Sequence, residues 1–107
     1  MDFKDIINRA LEVRKKYERF EKRNWGKVWG KEQILQGFIV DVGDLTRIIM
    51  QKEGWRKSPA SGELGHELSD CLWCIIVLAN KYGVDLQKEF LEAINDVEKK
   101  IQKNEDH

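Results

Sequence analysis

Apolar residues recur along nearly the whole chain at spacings of three and four, and nowhere alternate with period two for long enough to argue a strand. Four helices follow from that pattern. The first runs from Asp2 to about Lys22, with Phe3, Ile6, Ile7, Ala10, Val13, Tyr17 and Phe20 as its stripe. After a break at Asn24-Trp25-Gly26 and Trp29-Gly30, a second is predicted from about Lys31 to Glu53, with Gly54 as its stop. The loop from Trp55, which reads as a loop anchor, to Ser61 leads into the third. Either Ser58, ahead of Pro59, or Ser61 is expected to cap it, and Tyr82-Gly83 to end it. Asp85 caps the fourth, which reaches about Lys103 on a stripe of Leu86, Phe90, Ala93, Ile94, Val97 and Ile101. The expected fold is all-α, a four-helix bundle forming one domain over residues 1–107, with a frayed tail at 103–107.

The third helix is apolar nearly all round from Cys71 to Ala79 (CLWCIIVLA). Four helices in 107 residues cannot enclose one of their number, so a subunit interface is the expected cover, in a homodimer or higher homo-oligomer. The same run is far short of the ~20 apolar residues of a membrane span. The N-terminus is charged and has no apolar h-region, so the expectation is a soluble cytoplasmic chain with no membrane partner. Basic and acidic residues number 19 each, and this balance argues against nucleic acid as a partner. An anionic substrate would need a local device to hold it. Cys71 and Cys74 form a C-x-x-C, but zinc would need two more ligands and only His66 and His107 exist. The thioredoxin context is also absent, so the pair reads as small apolar residues inside a helix.

Two i, i+3 acidic pairs interrupt the two most apolar helices: Asp41 and Asp44 in GFIVDVGDLTRII, Glu67 and Asp70 in ELGHELSDCLW. Each pair shares a helix face with apolar neighbours, Phe38 and Leu45 for the first, Trp73 and Cys74 for the second. Unpaired buried carboxylates are costly and clustered ones repel, so such pairs require basic partners, shared protons or a hard cation. Arg47 is the main basic residue on these stripes. Carboxylates on facing helices of a bundle can hold magnesium, calcium or manganese, and a cation is favoured here over a salt-bridged core.

The same residues resemble the MazG-like family, which carries E-E-x-x-E on one helix and E-x-x-D on the next. Here the first motif reads Val40-Asp41-Val42-Gly43-Asp44 and the second Glu67-Leu68-Ser69-Asp70. Arg23-Asn24-Trp25 and Gln33-Ile34-Leu35 are similar to the dCTP pyrophosphatase-like branch, and the likeness covers about Arg23 to Lys100. It implies hydrolysis of a nucleoside triphosphate, including a deoxy- or non-standard one, to monophosphate and pyrophosphate. It implies Mg2+ as cofactor, with Mn2+ as a substitute, and Asp41, Asp44, Glu67 and Asp70 as metal ligands and catalytic residues. Val40 replaces the leading Glu, and two Asp stand where Glu is usual, which puts a second ion and full activity in doubt. Neither Walker A nor Rossmann glycines occur, so phosphate would be held by metal and side chains.

Substrate contacts are expected from Trp25, Trp29 and Lys31 before the motif helix, from Trp73, and from Asn95 and Lys99 on the last helix. Trp25 and Trp29 can stack on a base or pack the bundle end; Trp73 can line the pocket or the core. Glu63, one turn before Glu67, is expected behind the ligands or as a favourable first-turn charge. Glu63-x-x-His66 is half of a di-iron motif, and no second half exists. The stronger alternative is a non-catalytic dimeric helical module that binds nucleotide or a protein partner.

Overall fold

The structure, a computed structural model, describes residues 1–57 and 63–105. Among them are four α-helices and no strand: α1 (Phe3–Trp25), α2 (Lys31–Lys52), α3 (Leu64–Lys81) and α4 (Leu86–Glu105). Asp2 caps α1 reciprocally: its Oδ1 accepts the Asp5 N–H at 2.9 Å, and Asp5 Oδ2 accepts the Asp2 N–H at 3.2 Å. The helix runs three residues past the expected Lys22, because the chain first turns left-handed at Gly26 (φ 70°), whose N–H donates to the Lys22 carbonyl. Gly54 (φ 81°) stops α2 in the same backbone region. Ser58 and Ser61, the expected caps of α3, lie outside the described residues; Glu63 holds the N-cap position without a side-chain hydrogen bond. Asp85 Oδ1 accepts the Lys88 N–H at 3.2 Å at the start of α4. That helix continues through Glu105, and Lys103 in its last turn suits the helix dipole.

The core lies where α2 meets α3. Ile34, Cys74 and Val77 are buried together there, with Phe38, Trp73 and Leu78 packed against them, and Ile48 and Ile76 are also buried. Helix α1 rests more lightly on α3, and α4 packs extensively on none of the other helices. The bundle is therefore only partly formed within one chain. Its radius of gyration is 17.6 Å, against about 13 Å for a compact chain of this length.

Two apolar stripes differ from expectation. On α1 the inward face is turned by about one residue: Arg14 and Glu21 are buried, while Ile6, Tyr17 and Phe20 are exposed. The two buried charges form an ion pair, described below, that also reaches the 26–30 loop. On α4, Phe90, Ile94, Val97 and Ile101 lie on the surface instead of facing a core. Leu68, Leu72 and Ile75 on α3 are also exposed, as expected for a helix too apolar to be enclosed by one chain. Trp55, the expected loop anchor, is 80% exposed, and its N–H donates to the Met50 carbonyl at 2.8 Å. Among the described residues, no helix is long and apolar enough to cross a membrane.

Ile48 is 0% exposed. With so small a core, Ile48→Ala should lower unfolding free energy by about 2–5 kcal/mol, a large part of a small domain's total. Urea denaturation followed by circular dichroism should show an earlier midpoint, and an unchanged midpoint would mean that the seam is not the stabilising core.

Candidate functional site

A cleft of about 400 Å³ opens where the end of α1 and the 26–30 loop meet the α2–α3 seam. This is within the usual size of a small-molecule site. Asp41 of α2 and Asp70 of α3 line it, facing Trp25, Trp29 and Trp73. Residues from three helices and one loop thus meet at one place, although 45 positions separate Trp25 from Asp70. A hollow of similar size, about 420 Å³, lies between the start of α1 and the α3–α4 turn. It contains none of the four motif carboxylates and carries no comparable chemistry.

The carboxylates surround the two cysteines. Cys71 is buried, and its thiol is pushed up first by desolvation, then by the negative charges of Asp41, Asp70 and Glu67 in that order. Three of the four motif acids therefore act on one atom in the seam. The Cys74 S–H donates to Asp41 Oδ2 at 3.3 Å. Each acid also has its own surroundings. Asp44 Oδ1 pairs with Arg47 Nη2 at 3.2 Å, as the i, i+3 spacing allows, and does not line the cleft. Glu67 is buried and does not line the cleft, and its carboxylate makes no hydrogen bond or ion pair among the described residues. Asp70 Oδ2 lies 3.3 Å from His66 Nε2.

An all-oxygen donor set suits a hard divalent cation in kind. In spacing the fit is incomplete: among the described residues, no group of three or more His, Cys, Asp or Glu stands close enough to hold an ion. Cys74, Arg47 and His66 each engage one of the acids, so closing a ligand set would require side chains to turn away from these partners.

Trp25 and Trp29 both line the cleft and are about half exposed. Trp73 does both things its position allowed, packing on the core cluster and lining the cleft. Val40 also lines it and is 64% exposed, so the position that lacks an acid faces the same space as Asp41 and Asp70. The structure does not bring Lys31 there: its Nζ sits 4.3 Å from the centroid of the Tyr82 ring, a cation–π contact between the start of α2 and the end of α3. Asn95 and Lys99 are exposed on α4, remote from this cleft within one chain, and Glu63 is exposed at the start of α3.

Arg14 and Glu21 were missed by pattern reading, although both line the cleft. The signal was present: Phe3, Ile7, Ala10, Arg14, Tyr17 and Glu21 continue one stripe in steps of three and four. Charged side chains on such a stripe are easily assigned to solvent.

Burial, followed by the Asp41 hydrogen bond and charge, pushes the Cys74 thiol from 9.0 up to about 12. The folded state keeps this proton while the unfolded chain releases it near pH 9, so the contribution is complete below pH 9 and lost as pH rises towards 12. Stability measured against pH should therefore show an alkaline decline that Cys74→Ala lacks. Cys74 should also resist iodoacetamide at pH 8, and rapid alkylation in the folded protein would contradict the buried neutral thiol. No family model matches the chain, nor does any curated protein or solved structure, and the chemistry of the cleft stands on its own residues.

Proposed function

We propose that this chain is a MazG-like nucleoside triphosphate pyrophosphohydrolase that releases monophosphate and pyrophosphate with Mg2+ or Mn2+. One observation carries the reading: Asp41 and Asp70, from separate helices, share a cleft with Trp25, Trp29 and Trp73. Flat aromatic faces suit a nucleobase, and adjacent oxygen donors suit the cation that accompanies a triphosphate. Asp41, Asp70 and Glu67 would hold the ion, with Asp44 joining if it leaves Arg47. When bound, the ion would neutralise phosphate charge and favour attack by water at the α-phosphorus. The aromatic side chains fix the base end of the substrate, and Val40 leaves the cleft one acid short of the family pattern. Turnover is accordingly expected to be slow.

A second reading is favoured by the same Val40 and by carboxylates that do not stand at ion-holding distance: a helical module that binds nucleotide or a protein partner without turnover. Ribo- and deoxyribonucleoside triphosphates incubated with magnesium separate the two. Monophosphate and pyrophosphate are expected by chromatography, and Asp41→Asn or Asp70→Asn should each reduce the rate by about a hundredfold or more while the fold is retained. Diphosphate and orthophosphate as products would overturn the hydrolytic assignment. Absence of turnover with either metal would leave the binding module.

A second copy of the chain is the partner that best explains the exposed faces. The chain exposes 8502 Å², whereas a compact protein of 12.6 kDa exposes about 6,200 Å². The excess exceeds the ~800 Å² that each partner buries in an ordinary interface and suits an obligate one. Phe90, Ile94, Val97 and Ile101 on α4 would supply apolar contacts, and Asn95 and Lys99 could reach a cleft only across such an interface. Sedimentation should give a dimer or higher homo-oligomer, and Ile94→Asp should shift it towards monomer. A wild-type monomer at micromolar concentration would contradict the assembly.

A further inference from the structure

Arg14 and Glu21 are 4% and 1% exposed, and phosphate hydrolysis gives them no direct task. They are joined twice, Nη2 to Oε1 at 3.1 Å and Nη1 to Oε2 at 3.3 Å. Both also reach one residue of the 26–30 loop. Glu21 Oε1 accepts the Trp29 N–H at 3.2 Å, and Arg14 Nη2 donates to the Trp29 carbonyl at 3.2 Å. The two backbone polar groups of Trp29 are thus held by a single buried ion pair. On the opposite side the Trp29 ring lies against Gly37 of α2, where an added Cβ would stand 2.9 Å from Cζ3.

A loop that begins and ends in glycine has no stiffness of its own to orient a ring. Here the ion pair fixes the backbone and the missing Cβ leaves the slot for the ring. Trp25 ends α1, is 53% exposed, and meets the edge of Phe20, with ring centroids 5.7 Å apart; among the described residues no buried ion pair holds its backbone.

We propose that Arg14, Glu21 and Gly37 are positioning residues that hold the Trp29 ring as the fixed wall of the Asp41–Asp70 cleft, against which a nucleobase stacks. The ligand class rests on the function proposed above; the positioning does not require that hydrolysis occur. A pre-oriented ring avoids the ordering cost that a mobile one incurs when a base binds.

Gly37→Ala tests this, because alanine is the better helix former and the fold is expected to survive, while its methyl displaces the Trp29 ring. Binding of α,β-imido deoxynucleoside triphosphates and of inorganic tripolyphosphate, both with magnesium, is measured by calorimetry on the full chain. Gly37→Ala should weaken nucleotide binding by about tenfold, the lower end of the effect of losing one stacking contact. Tripolyphosphate, which has no base, should change less than about twofold. Trp29→Phe added to Gly37→Ala should recover part of the loss, since the shorter ring clears the methyl. Glu21→Gln should reproduce the base-selective loss; if it does not fold, the Gly37 and Trp29 variants decide alone. Equal weakening of both ligands, or no change in either, would overturn the positioning role and leave the hydrolytic assignment standing. If the wild type binds nucleotide with this selectivity but never turns it over, the positioning role survives and hydrolysis falls. If the wild type binds no nucleotide, both fall.

Discussion

Where α2 and α3 meet, the same few turns must exclude water and carry negative charge. Ile34, Cys74 and Val77 close the seam, while Asp41, Glu67 and Asp70 stand beside it and act together on Cys71. Desolvating a carboxylate costs several kcal/mol unless something answers it. The seam answers in part, with the Cys74 thiol as a donor to Asp41 and with His66 and Arg47 at its edges. Larger apolar residues in place of the cysteines would improve packing but remove that donor. Cys74 therefore has a physical role, as the donor to Asp41, that requires neither redox nor zinc chemistry.

Helix α1 is tied to the following loop through charge. Removing one partner of a buried ion pair typically costs about 3–5 kcal/mol, because the other charge is left without compensation. The Arg14–Glu21 pair consequently ties the end of α1, the following loop and the start of α2 into one arrangement. Trp29 is held near two aspartates as a result, in a cleft that Trp25 and Trp73 also line, although no short sequence motif links these residues. Gly37 belongs to the same device, since any side chain there would contest the space of the Trp29 ring.

The outer faces belong to the same physical account. A four-helix chain whose fourth helix keeps its apolar stripe in water has its hydrophobic demand unmet within one copy. Covering α4 and the Leu68–Leu72–Ile75 face with a second copy would add burial that the small seam lacks.

Local rules were enough for much of the fold. Period-3.6 patterning placed the four helices, and the stop at Gly54 and the start at Asp85 lie where turn chemistry put them. Spacing also singled out Asp41, Asp44, Glu67 and Asp70, because acids on an apolar stripe stand out in any helical reading. Tertiary structure alone decided which of them share a cleft and that Lys31 sits over Tyr82. It also decided the rotation of α1, since a stripe of mixed character permits more than one inward face. Only the long-range contact of Arg14 and Glu21 with Trp29 selects among them. Periodicity reports which residues share a side of a helix; what that side meets depends on contacts between residues far apart in the chain.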